Sequence, residues 1–139
     1  MNMKTLPIGA ASIGAAVIAL LGVAIALPTA ASAATSLPKV SNCGEKSVKP
    51  TGIVLSCADA NTALETLKWS KWNATTAQGS GVYSANDCEP TCVAGMFHRY
   101  KVNVVLSAPK TVEGTKVFTK ARVTFPGVTD QSNKTFTIE

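Results

Sequence analysis

Histidine is nearly absent from this chain. The 139 residues include one, His98, and aromatic side chains make up only 6%. A single histidine argues against the zinc sites that join a close cysteine pair to a second such pair or to closely spaced histidines. There is no C-x-x-C beside a βαβ pattern, which argues against thioredoxin-type redox chemistry. No EF-hand spacing of acids occurs. No cysteine directly follows the N-terminal apolar run, so a lipid-anchored lipoprotein is not expected. Internal repeats and long low-complexity tracts are missing from the part after that run.

The N-terminal quarter reads as a targeting segment. Lys4 supplies one positive charge, residues 8–27 are apolar or small, and Ala31-Ser32-Ala33 fits the A-x-A cleavage rule. An uncleaved anchor is the rival, because roughly 20 apolar residues can span a bilayer. The Ala and Gly content, Pro28 and the cleavage motif favour removal of residues 1–33. The expected mature chain, residues 34–139, then has about 106 residues and forms one domain. Without Lys4 it carries 12 basic and 8 acidic side chains, a net charge of about +4. That balance suits weak attraction to anionic envelope polymers and lies far from a nucleic-acid-binding signature.

All four cysteines, Cys43, Cys57, Cys88 and Cys92, fall in the exported part, and an even count there reads as two disulfides. Three connectivities are open. In "NDCEPTC", Pro90 presets a tight turn that can bring Cys88 and Cys92 within the roughly 4.4–6.8 Å Cα separation a disulfide requires. Local geometry therefore favours Cys88–Cys92 with Cys43–Cys57, and a staple over a redox pair or half a metal site.

Hydrophobic periodicity points to strands. In "MFHRYKVNVVLSA" the even positions Met96 to Leu106 form the apolar face. In "TKVFTKARVTFPG" the odd positions Val117 to Phe125 do, leaving Lys116, Phe118, Lys120 and Arg122 outside. "PKTVEG" between them reads as a long hairpin loop. A strand at Ile53, Leu55 and Cys57, a loose leader with a short edge strand near Val40, and a closing strand with Phe136 and Ile138 inward complete the pattern. "ALETLKWSKW" is ambiguous: Thr62 with Glu65 makes a capping box, and Leu64 with Leu67 suits a helical face. The Gly-rich turn after it favours a hairpin spanning Leu67 to Ala85. The expected fold is all-β: a small, disulfide-stapled antiparallel sandwich or barrel of about six strands.

From Gly52 to Pro109 the chain resembles a family of small secreted actinobacterial proteins of uncharacterised function. The residues that carry the likeness are "LSCADAN", "LKWSKW", "GSGVYSANDCEPTCVAG" and "YKVNVVLSAP". Where that pattern more often has a proline after the tyrosine, this chain has Lys101. The resemblance implies export and a disulfide-bearing β-rich module, with no catalytic residues to carry over.

The residues that could carry chemistry are few. His98 is the sole candidate general base, and no spacing selects a nucleophile for it among Ser84 and Ser107, or an acid in Asp87. Asp59, Asn61, Asp87 and Glu89 could offer calcium ligands if their loops meet, but Asp and Asn in turns usually serve the backbone. Trp69 and Trp72, on a regular strand, must face opposite sides, so one is core and the other an exposed platform for a sugar ring or a partner. Pairing the two basic strands with their apolar faces together requires partner numbers summing to about 221 or 223. Lys101 then opposes Lys120 or Arg122, and Lys116 extends a stripe with Arg99.

The expectation is a secreted protein without enzymatic activity, cofactor or metal, acting by binding or structurally outside the cell or at its wall. The candidate ligand-binding residues are Arg99, Lys101, Lys116, Lys120, Arg122, Trp69 and Trp72. An anionic envelope polymer or another secreted protein is the expected partner. Nucleic acid and stable membrane insertion are not. Alternatives are an inhibitor of a secreted protease, reacting through the Cys88–Cys92 loop, and a small hydrolase built on His98.

Overall fold

A computed structural model describes residues 36–138 of the chain; the expected signal segment and its cleavage site lie outside the described residues. Eight strands form one curled, mixed sheet, and no described residue is helical. They are β1 (Lys39–Asn42), β2 (Glu45–Ser47), β3 (Ile53–Val54), β4 (Thr62–Trp72), β5 (Ala77–Asn86), β6 (Phe97–Val112), β7 (Thr115–Thr124) and β8 (Lys134–Thr137). The order is β2-β1-β7-β6-β5-β4-β3, with β8 also paired to β7. All ladders are antiparallel except β1 with β7.

The sheet curls because the even residues of β6 and the odd residues of β5 and lower β7 must leave water together. Val102, Val104, Leu106, Tyr83, Ala121, Val123 and Phe125 are buried and pack with Leu64, Val40 and Ile53. Fully burying one such side chain is worth about 1.5–3 kcal/mol. The N-terminal segment, expected as a loose leader with an edge strand, is instead interior to the sheet. Val40 is 0% exposed between β2 and β7. The strand expected from Ile53 through Cys57 shortens to two residues.

β4 explains the ambiguity of its sequence. It runs against β5 with one extra residue between Glu65 and Lys68 and another between Trp69 and Lys71. Each extra residue is a β-bulge, which reverses the alternation beyond it; Thr66 sits at φ +50° in the first. Leu64, Leu67, Trp69 and Trp72 therefore all point inward. The helix-like spacing of Leu64 and Leu67, and the odd spacing of the two tryptophans after them, come from a twice-bulged strand.

The basic hairpin keeps the expected parity with a different register. β6 extends to Val112, β7 starts at Thr115, and pairs such as Val105↔Arg122 and Ser107↔Lys120 sum to 227. The turn is only Glu113-Gly114, both at positive φ (48° and 74°), a two-residue geometry that matches strand twist. Pro109 and Lys110, expected in the loop, belong to the strand. Proline is tolerated there because β6 has already passed its last β5 partner, Ala77↔Leu106.

The two open edges of the sheet approach each other along a seam. Cys43–Cys57 joins them covalently, with Cα atoms 5.4 Å apart. Asn42 Oδ1 accepts the Val54 N–H at 2.8 Å. The indole of Trp69 donates to Pro50 O at 2.8 Å, and that of Trp72 to Pro38 O at 2.9 Å. Side chains and one cystine thus do the work that a ladder would do in a closed barrel.

Candidate functional site

The four long strands are strongly one-sided in charge. β4 to β7 contain eight Lys and Arg residues and a single acid, Glu65. Glu65 accepts from Arg99 Nε at 3.3 Å, reaching from β4 to β6 across β5. The pair crosses β5 diagonally, from the row of Glu65 and Val82 to that of Ser84 and Arg99, and Ser84 beneath it is only 1% exposed although it lies on the outer face. The Ser84 hydroxyl has no hydrogen-bond partner there.

The expected opposition of like charges does not occur. Arg99 and Lys101 lie beyond the last β6–β7 pair, Asn103↔Thr124, and face Ser84 and Val82 on β5. Arg122 faces Val105, and Lys120 faces Ser107. Lys116 is set apart near the Glu113-Gly114 turn, because Phe118, expected on the outer face, is 0% exposed and packs edge-on against Trp72. The expectation failed because the turn lies two residues beyond the centre assumed for it.

Lys68, in the segment whose sequence is ambiguous, and Lys101, expected opposite Lys120 or Arg122, share a groove. Lys68 on β4 and Lys101 on β6 flank a groove of about 350 Å³ whose lining also includes Thr66, Ser80, Val82 and Asn103. The strands that bear them are two ladder steps apart, about 10 Å. Neither ammonium is in an ion pair among the described residues. The groove can hold one anionic group between two cations, with hydroxyl and amide donors on its floor.

Trp69 and Trp72 do not face opposite sides. Their rings meet edge to face with centroids 4.8 Å apart, both half-buried, and both indole N–H groups are spent on backbone carbonyls at the seam. The second bulge puts them together. Their evident work is to clasp the sheet.

The loop after β5 is held by its own acids. Cys88–Cys92 is closed with Cα atoms 3.7 Å apart, nearer than the sequence estimate, around a cis Glu89–Pro90 bond. Asn86 Oδ1 accepts Cys88 N–H at 2.9 Å, and Asn86 Nδ2 donates to Cys92 O at 2.8 Å. Asp87 Oδ1 accepts the N–H groups of Met96 and Glu89, at 2.9 and 3.1 Å, and His98 Nε2 donates to Asp87 Oδ2 at 2.8 Å. The His98 bond, then the Met96 and Glu89 N–H groups, hold the Asp87 carboxyl down to about 2 from an ordinary 3.8. The two acidic loops do meet, through Asn86 N–H and Asn61 O at 2.9 Å. Asp59, however, is engaged by Asn61, whose N–H is the main cause of its lowered pKa. These oxygens serve turns.

His98 has its orienting acid but no nucleophile beside it. Ser84 lies on the other face of β5, since its neighbour Ala85 is the residue paired with His98. Ser107 faces Lys120, nine residues along β6. The tip of the loop is a closed turn, with Ala94 and Gly95 N–H both donating to Thr91 O. A protease cleft binds its loop as an extended strand.

His98 does line a hollow of about 190 Å³ at the mouth of the half-barrel, with Tyr83, Asp87, Tyr100, Gln131 and Lys134. A further hollow of about 500 Å³ along the seam has one ionisable lining residue, Glu65, which Arg99 already occupies. Comparison of the chain with protein-family models, with curated proteins and with solved structures finds no match.

Proposed function

We propose that the protein is a secreted, non-catalytic module of the kind expected from its actinobacterial resemblance, and that it binds an anionic polymer of the cell envelope through the outer face of β4–β7. The observation that carries this reading is the eight-to-one excess of cations over acids on those strands, with Lys68 and Lys101 unpaired on either side of one groove. Charge of one sign along a sheet raises the local concentration of counter-charged polymer. The two disulfides fit an oxidising, extracellular environment. Exposed cations are screened within roughly 8 Å at physiological ionic strength, so the interaction is weak and salt-sensitive.

The test is retention on purified anionic wall polymer over a salt series, comparing the parent with Lys68→Ala/Lys101→Ala. The parent should be retained at low salt and released as salt rises, and the double variant should elute earlier throughout. Equal retention of the two at low salt would reduce the face to a solubilising surface.

A secreted protein partner is a second reading, favoured by the loop tip. Val93 is 99% exposed and Met96 68%, on a loop already fixed by a disulfide and two side-chain-organised turns. Such preorganised apolar groups lose little entropy on binding. Loss of a filtrate protein's capture on Val93→Ser, with polymer retention intact, would identify that surface.

A further inference from the structure

The hollow at the mouth of the half-barrel is built differently from the outer face. Tyr83 and Tyr100 are directly paired across β5 and β6, and both rings meet Phe125 edge to face, with centroids 5.2 and 5.9 Å away. Phe136 closes the far side of Tyr83. This aromatic wall is rigid, because Phe125 and Tyr83 are each only 6% exposed. The Tyr83 hydroxyl is nevertheless not among the buried polar atoms left without a partner, so it reaches the open space of the hollow. Burial raises its pKa, which keeps it a proton donor.

Opposite the wall stand groups with unused bonding capacity. Asp87 takes the Nε2–H of His98, and the ring's other nitrogen, Nδ1, has no partner among the described residues and faces the hollow. The Gln131 amide, the Lys134 ammonium and the two phenol hydroxyls have no partner among the described residues. Lys134 is half-buried, and Asp87, the one acid in the lining, is already engaged by His98 and two backbone N–H groups. Five polar groups thus converge on a hollow with one apolar aromatic side, the composition expected of a small-molecule site. Its volume admits one ring and no more.

We propose that this hollow binds a single hydroxylated ring bearing a carboxylate, that is, a sugar acid of the hexuronate class. The ring lies against the tyrosine wall, its hydroxyls bond to Gln131, His98 Nδ1 and the phenols, and its carboxylate meets Lys134. A neutral sugar would leave the Lys134 charge uncompensated. An aromatic acid would leave the acceptor and amide groups unpaired, and sites built to bond hydroxyls discriminate strongly against ligands that lack them. The proposal rests on inner-face residues and is independent of the outer cations.

The experiment is a two-dimensional NMR titration of the protein with glucuronate, glucose and benzoate as separate probes. Glucuronate should shift the Tyr83, His98, Tyr100 and Lys134 signals in a saturable way. Glucose and benzoate should each bind roughly tenfold or more weakly. Lys134→Gln should remove the preference for glucuronate over glucose, and Tyr100→Phe, which keeps the wall, should weaken glucuronate without altering the fold. Lys68→Ala/Lys101→Ala should leave the titration unchanged, which separates this site from the outer face. Absence of saturable shifts with glucuronate at tens of millimolar, or benzoate binding as well as glucuronate, would overturn the assignment.

Discussion

Trp69 and Trp72 sit on the same side of one strand, their rings at right angles and 4.8 Å apart, although three residues separate them. Each indole donates to a proline carbonyl: Trp72 reaches over the seam to Pro38, ahead of β1, and Trp69 holds Pro50 in the connection that leads into β3. The pair fastens the edges of a sheet that no ladder closes. Trp72→Phe should therefore lower stability by about 1–2 kcal/mol, because the Pro38 carbonyl loses its donor. Trp72→Ala, which also strips packing from Phe118, should cost about 3 kcal/mol. Urea midpoints measure both; a loss below about 0.5 kcal/mol, the range of ordinary surface changes, would contradict the clasp.

Cys43–Cys57 acts at the same seam. It closes a segment of 14 residues in sequence, and the loop-entropy model gives such a bridge about 3 kcal/mol. Cys43→Ser with Cys57→Ser should lower the melting temperature by more than 10 °C for a domain this size. Non-reducing peptide mapping of the parent should recover Cys43 with Cys57 and Cys88 with Cys92; a peptide joining Cys57 to Cys92 would contradict the described pairing.

Acid should release the Asp87 loop. The folded carboxyl lies at about 2, below its ordinary 3.8, so its contribution is fully present above pH 3.8 and is lost as pH falls toward 2. The carboxyl is exposed, and the effect is expected to be local. An NMR titration should place the Asp87 inflection near 2, with amide protection at Met96 and Glu89 fading over the same window. In Asp87→Asn this pH dependence should vanish. An inflection near 4 would mean that His98 and the two N–H groups do not hold the carboxylate.

Gly95 has no room for a side chain. A Cβ there would meet Asn86 Oδ1 and come within 2.7 Å of Asp87 Oδ1 and 2.8 Å of Cys88 N. Gly95→Ala should displace both side chains that organise the loop, at about 1–3 kcal/mol as for other overpacked sites. The His98 ring signals should move with it. A crystal structure or spectrum showing His98 undisturbed would refute this coupling.

Period-2 patterning by itself determined the all-β class and most of the core, because alternation in β6 and the lower half of β7 exposes or buries each residue whatever its neighbours do. The even cysteine count and the Pro90 turn pointed to the local disulfide pairing, since both loops are short enough to close without knowledge of the rest. The tertiary structure decided everything that depends on register. A bulge adds one residue and reverses every later side chain, so neither the shared face of Trp69 and Trp72 nor the meeting of Lys68 with Lys101 could be read from spacing. The apolar positions 64, 67, 69 and 72 fit neither a strand period nor a helix period, and that mismatch was the one available signal of bulging. The two-residue turn at Glu113-Gly114 likewise shifted the basic strands past one another, which dissolved the expected stripe. Tyr83, His98 and Tyr100 are neighbours in the β5–β6 ladder and Asp87 meets His98 just past its end, whereas Gln131 and Lys134, from the connection before β8 and the first residue of β8, join them only through curling of the sheet. Local pattern sets which way a residue points when its strand is regular; which residues meet is set by bulges, turns and closure, whose energies depend on contacts distant in sequence.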